Sequence, residues 1–154
     1  MQNLCEVSFL AISDNEAFAR MVAAAFIMPL NPTMEQLSDI KTAISEAVTN
    51  AIIHGYAERK GIVKMRCQII DQELIIEISD NGQGIENIQL AKQPLYTTKP
   101  NLERSGMGFT IMESFMDEVE IESIVGMGTK VTMKKKIKNN NEIENELQFA
   151  SSCN

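Results

Sequence analysis

An α+β two-layer sandwich is the fold this sequence predicts, and three observations carry it. Apolar residues alternate with polar ones in two pairs of short runs, which read as antiparallel hairpins. Two segments near the N-terminus repeat apolar residues every three or four positions and read as helices. Helices grouped apart from hairpins favour an antiparallel sheet with helices on one face. At 154 residues, 44% of them hydrophobic and 23% charged, the chain fits one domain. That domain is expected over 1–137, with a disordered Asn- and Glu-rich tail over 138–154.

The first element is a strand from Leu4 to Ile12. Ser13 with Glu16 three residues on is a capping-box pattern, so a helix is expected to run to about Met28. Its core face is predicted as Phe18, Met21, Val22 and Ala25, leaving Arg20 outward beside Ala23, Ala24 and Ile27. Asn31-Pro32 breaks the chain. Thr33 with Gln36 opens a longer helix that ends at Gly55, buried through Leu37, Ile40, Ile44, Ala47, Val48 and Ala51. Val63, Met65, Cys67 and Ile69 then pair with Leu74, Ile76 and Ile78 in a hairpin turning at Asp71-Gln72. A polar, glycine-bearing stretch from Asp80 to Gly108 follows, with one helical possibility near Ile85 to Lys92, and a loop of that length is usually functional. A helix from about Met107 to Met116 and a last hairpin, Val119 to Ile124 and Thr129 to Ile137, turning at Gly126-Met127-Gly128, complete the order.

Charge and cysteines narrow the function. A formal net charge of −7, from 14 Lys and Arg against 21 Asp and Glu, disfavours nucleic acid as a direct partner. Cys5, Cys67 and Cys153 are odd in number, lack CxxC spacing and have one His in the chain for company, which fits a reducing cytoplasm better than a disulfide framework or a metal site. No export segment or run long enough to span a membrane is evident.

Three clusters can carry chemistry. Glu46 and Asn50, four apart, stack one turn above the other beside the core stripe, with Ile53 next to them. Asp80 continues the inward parity of Leu74, Ile76 and Ile78, so its carboxylate needs partners: either the amides of the turn Asn81-Gly82-Gln83-Gly84 or a ligand offering N–H donors. Gly82 and Gly84 allow unusual backbone conformations and close approach of a flat ring. Thr97, Thr98 and Lys99, then Arg104, Ser105, Gly106, Met107 and Gly108 lead into a helix start, where free N–H groups and cations attract phosphate. The P-loop pattern and the HRD and DFG signatures are absent.

Taken together, these residues resemble the Bergerat (GHKL) ATPases. Glu46-Ala-Val-Thr-Asn50-Ala-Ile-Ile-His54-Gly55 looks like their N-box and Asp80-Asn-Gly-Gln-Gly84-Ile like the adenine box. Arg104-Ser-Gly106-Met-Gly108-Phe looks like the second glycine box and Gly126-Met-Gly128-Thr129 like the closing one. Asn15-Glu-Ala-Phe-Ala-Arg20 and the run from Pro94 to Glu113 narrow the likeness to the sporulation anti-sigma kinases of that family, from roughly Leu4 to Lys136. The resemblance implies ATP or ADP as ligand, with Asp80, Gly82, Gly84 and Thr129 at the adenine. It implies Mg²⁺ on Asn50, and Glu46 as general base toward a serine hydroxyl. Thr97, Thr98, Lys99, Arg104, Ser105, Gly106, Met107 and Gly108 would lie about the phosphates. It further implies a homodimer that sequesters sigma factor F and phosphorylates an anti-anti-sigma factor, with Arg20 as a partner contact. Two alternatives stay open: a stress-response anti-sigma kinase, and a binding module for which ATP is only a conformational ligand. A histidine kinase is disfavoured, since no dimerisation helices with a phosphorylated His fit in the chain.

Overall fold

The computed structural model describes residues 2–57, 59–94 and 108–152. Five strands, β1 (Gln2–Leu10), β2 (Ile62–Ile70), β3 (Glu73–Asp80), β4 (Glu118–Ile124) and β5 (Gly128–Lys136), form one antiparallel sheet in the order β1-β2-β3-β5-β4. Helices α1 (Asp14–Ile27), α2 (Met34–Asn50) and α4 (Gly108–Phe115) are joined by a short α3 (Ile88–Ala91) and a C-terminal α5 (Asn140–Ser152). This is the expected α+β two-layer sandwich.

Alternation decides which sheet face is covered. Val63, Met65, Cys67, Ile69, Leu74, Ile76 and Ile78 are buried against Ile40, Ile44 and Val48 of α2. Each such side chain contributes on the order of 1.5–3 kcal/mol. Their neighbours in sequence face the other way and carry charge: Lys64 and Arg66 lie 3.3 and 3.8 Å from Glu6, and Lys134 lies 2.9 Å from Glu118. The β2–β3 turn falls at Asp71-Gln72 as expected, with Asp71 left-handed at φ 55°, a conformation Asp tolerates. Cys5 and Cys67 are free thiols paired in register. Burial, and secondarily Cys5, push Cys67 up to about 12, which makes it a core residue rather than a nucleophile.

The start of α2 keeps its predicted capping box: Gln36 N–H donates to Thr33 Oγ1 at 3.1 Å, and Thr33 N–H donates to Gln36 Oε1 at 3.0 Å. The start of α1 does not. Ser13 is already helical and makes no side-chain cap, and the Glu16 carboxylate instead accepts from Thr49 Oγ1 at 2.7 Å, bridging α1 to α2.

The predicted core face of α1 is also corrected in all but Val22, which packs against the core. Ala19, Ala23, Ala24 and Ile27 are buried, while Phe18 and Met21 are 46% and 62% exposed and Ala25 is exposed too. Both stripes have helical spacing, and close approach of α1 to α2 admits the alanines but not the larger side chains. Arg20 consequently turns toward α2: its Nη1 donates to Ser45 Oγ at 2.8 Å and lies 3.9 Å from Glu16. Within the tail, Asn140–Ser152 is helical, though none of its residues is buried. Glu, Leu, Gln and Ala are good helix formers, and Asn139 Oδ1 accepts from Asn141 N–H at the helix start.

Candidate functional site

The end of α2 sets the site. Ala51–Gly55 is a single π-turn, closed by Tyr56 N–H to the Ala51 carbonyl at 2.9 Å, a distortion found mostly at functional positions. The Asp80 loop is fastened to this turn. Gln83 N–H donates to the Gly55 carbonyl at 2.8 Å, Gln83 Nε2 donates to the His54 carbonyl at 2.6 Å, and Asn81 N–H donates to Tyr56 Oη at 2.8 Å.

The glycines make this junction possible. A Cβ on Gly82 would stand 2.0 Å from the Gly55 carbonyl oxygen, and one on Gly55 would meet the Asp80 carboxylate at 2.8 Å. The close approach allowed by Gly82 is therefore used by the protein's own backbone. Gly84, at φ 77°, lines the cavity, and a Cβ there would lie 2.5 Å from the Ile124 carbonyl oxygen. Gly82→Ala is expected to cost about 1–3 kcal/mol, because the obstacle is backbone and cannot swing aside. Urea denaturation measures this, and an unchanged midpoint would refute the packing account.

Between α2, the Asp80 loop and β5 lies a cavity of about 400 Å³, within the range of small-ligand sites. Asn50, Asp80, Gly84, Gly108 and Thr129 all line it, with Ile78 and Phe109 as apolar wall. Asp80 is 8% exposed. Its Oδ1 accepts from Gly82 N–H at 2.9 Å, so the protein's own amides meet part of its need. Burial nonetheless raises its pKa against the opposing backbone hydrogen bonds of Gly82 and Thr129. The carboxylate is under-compensated and has room for a further donor.

Glu46 and Asn50 meet the start of α4. A Cβ on Gly108 would lie 3.2 Å from Glu46 Oε2 and 3.3 and 3.4 Å from the two amide atoms of Asn50. Asn50 Nδ2 is buried and unpartnered among the described residues. Amide oxygen and nitrogen can exchange places, so this amide can equally present its oxygen. A hard cation suits that oxygen, and among the described residues no three His, Cys, Asp or Glu gather to hold a metal otherwise. Among the described residues, a Mg²⁺ held by Asn50 would take its other ligands from phosphate and water.

The structure thus brings together Glu46, Asn50, Asp80, Gly84, Gly108 and Thr129. Thr97, Thr98, Lys99, Arg104, Ser105, Gly106 and Met107 lie outside the described residues. Arg20 is elsewhere, at the α1–α2 seam. Sequence reasoning missed Tyr56 and Ser123. Ser123 Oγ lies 2.8 Å from Thr129 Oγ1 and accepts from Ile85 N–H at 2.8 Å, fixing the Thr129 hydroxyl and the loop together. The parity of Val119 and Ile121 on β4 places Ser123 inward and was a usable signal.

Residues 11–135 match the family described as histidine kinase-like ATPase domain. The chain is 57% identical over 136 residues to an anti-sigma F factor of Clostridium acetobutylicum, covering 88% of this chain and 95% of that protein. It is 56% identical over 138 residues to one of Clostridium perfringens, covering 89% and 99%. Among solved structures, the RsbU and RsbW domains of a Mycobacterium tuberculosis protein align with a TM-score of 0.64 at 20% identity, over 88% of this chain and 32% of that one. The catalytic domain of the histidine kinase ThkA aligns at 0.52 and 14% identity, over 86% and 96%. At such identities these two likenesses show the fold.

Proposed function

The chain belongs to the histidine kinase-like ATPase domain family, in the group of anti-sigma F factors, and from that premise we propose that it is an anti-sigma factor that binds sigma factor F and phosphorylates a serine of an anti-anti-sigma factor with Mg-ATP. The observation that carries the nucleotide part is the buried Asp80 carboxylate, under-compensated and facing the same cavity as the Asn50 amide, whose nitrogen is unpartnered among the described residues. Adenine supplies an N–H donor for the first, and a phosphate-bound cation suits the second.

In this reading each residue has one task. Asp80 accepts from the adenine amino group, Gly84 lets the base approach, and Thr129, oriented by Ser123, supports that edge. Asn50 holds Mg²⁺, which when bound offsets phosphate charge. Gly108 at the start of α4 leaves room for phosphate oxygens beside Glu46. Glu46 takes the proton of the serine hydroxyl as its oxygen attacks the γ-phosphorus, and ADP leaves with the electrons of the broken P–O bond. Thr97, Thr98, Lys99, Arg104, Ser105, Gly106 and Met107 are assigned to the phosphates through the family likeness. Arg20 is assigned to a protein partner, the active form to a homodimer, and the setting to the cytoplasm, where Cys5 and Cys67 stay reduced.

One experiment tests the reading. Mixed with Mg-ATP and the anti-anti-sigma factor, the chain is expected to add a single phosphate to one serine of that protein, seen as one mass increment and a mapped phosphopeptide. No increment, with the anti-anti-sigma factor shown to be folded, defeats the kinase assignment.

A further inference from the structure

Apart from the nucleotide cavity, a second groove runs along the outer side of α2. Met34, Leu37, Lys41, Thr42 and Ser45 recur there at helical spacing, and Arg20 of α1 closes its far end. From Met34 to Ser45 the face extends roughly 16 Å. It is open, for Met34 is 80% exposed, and Lys41 makes no ion pair with another described residue.

Helix α5 starts at the near end of this groove. Asn140 N–H donates to the Asn31 carbonyl at 3.3 Å, Asn31 Nδ2 donates to Asn139 Oδ1 at 3.0 Å, and Asn140 Nδ2 reaches the Pro32 carbonyl at 3.4 Å. That root sits two to three residues before Met34. Ile143 is half-buried, whereas Leu147 and Phe149 are 65% and 73% exposed, so the helix is seated at its base and open beyond it. Ile143, Glu146, Leu147 and Ala150 share one face at i, i+3, i+4 and i+7. The charges are complementary: α5 carries Glu142, Glu144 and Glu146 without Lys or Arg, and the groove carries Lys41, with Arg20, already facing Glu16, at its end. At thirteen residues α5 is long enough to cover most of the groove. It also lies outside the residues matched by the ATPase family, so no part of the shared fold needs it.

We propose that α5 is a tethered competitor that pivots on its Asn31–Pro32 root and lies along α2, with Ile143 and Leu147 over Met34 and Leu37 and Glu146 toward Lys41, covering the groove from Met34 to about Thr42, next to Arg20. The docking stands on the groove, the tether and the charges. Its consequence, competition with a protein partner, rests on the reading of Arg20 under Proposed function. A tether makes weak contacts effective, because the local concentration is high.

Two arms on the full chain test this. A benzophenone amino acid replacing Leu147, an exposed position that cannot disturb the core, is expected to crosslink on illumination to the peptide containing Met34 to Lys41 of the same molecule. Absence of that crosslink, or crosslinks only between copies, overturns the docking. In the second arm Leu147→Glu is expected to tighten sigma factor F binding about tenfold, the factor released when a segment docked nine-tenths of the time is freed. Equal affinities for parent and variant overturn the competition. If neither form binds sigma factor F, the functional reading fails, and the crosslink still decides the docking.

Discussion

Glu46→Gln is expected to lower phosphoryl transfer by about 10² to 10⁴ while ATP affinity stays within a few fold. The amide keeps the shape of the side chain and its hydrogen-bonding reach, and loses only the ability to take a proton. The Glu46 carboxylate and the Asn50 amide both stand within 3.4 Å of one point above Gly108, so the proposed base and the proposed cation ligand would address the same end of the nucleotide. In the proposed reading, holding ATP calls on Asp80 and Asn50 and not on a base. A loss confined to turnover is therefore the signature of a transition-state role. Steady-state phosphorylation of the anti-anti-sigma factor, beside calorimetric ATP titration, separates the two quantities. Retained turnover in the variant removes Glu46 from the chemistry and favours a module for which ATP is a conformational ligand. Equal losses in binding and turnover would instead make Glu46 a structural support of the pocket.

The parts of this fold legible in sequence are those where one physical requirement has one local solution. The Thr33-Gln36 cap, the alternation in β2 and β3, and the inward parity of Asp80 are of that kind, and the structure has all three. The face of α1 is a different matter, since Phe18-Met21 and Ala19-Ala23 are both helical stripes and only the distance to α2 selects between them. Ser13 shows a competing attraction, with the expected partner Glu16 drawn off by Thr49 across the helix pair. The π-turn at Ala51–Gly55 leaves no mark on apolar periodicity, and it ends at the Gly55–Gly82 contact between segments distant in the chain. Within the site, Glu46, Asn50 and Asp80 could be named individually. That Asn50 and Asp80 face one cavity, with Glu46 beside Asn50 at its Gly108 end, is a tertiary fact, which the resemblance anticipated and residue spacing by itself left open.

Asp80→Asn is expected to weaken ATP binding roughly ten- to a hundredfold, since a hydrogen bond to a charged group is worth about 1.5–3 kcal/mol and each 1.4 kcal/mol is a factor of ten. The fold should survive the change. Asn Oδ1 can still accept from Gly82 N–H, and the variant no longer buries a charge that its surroundings under-compensate. The pH dependence separates these effects. Asp80 has a folded pKa above its ordinary 3.8, so between that value and the raised one the folded state holds more protons than the unfolded, and stability falls as pH rises through the window. Parent minus Asp80→Asn stability, followed by urea denaturation across that window, should decline with pH. An adenine amino group reverses the balance by favouring the ionised carboxylate, so ATP binding in the same window should release a proton and weaken on acidification. Calorimetry in two buffers of different ionisation enthalpy detects that proton, and the variant should release none from this site. If the dissociation constant of the variant matches the parent, Asp80 is a carboxylate satisfied by Gly82 and Thr129 alone, and the base must be sought against another wall of the cavity.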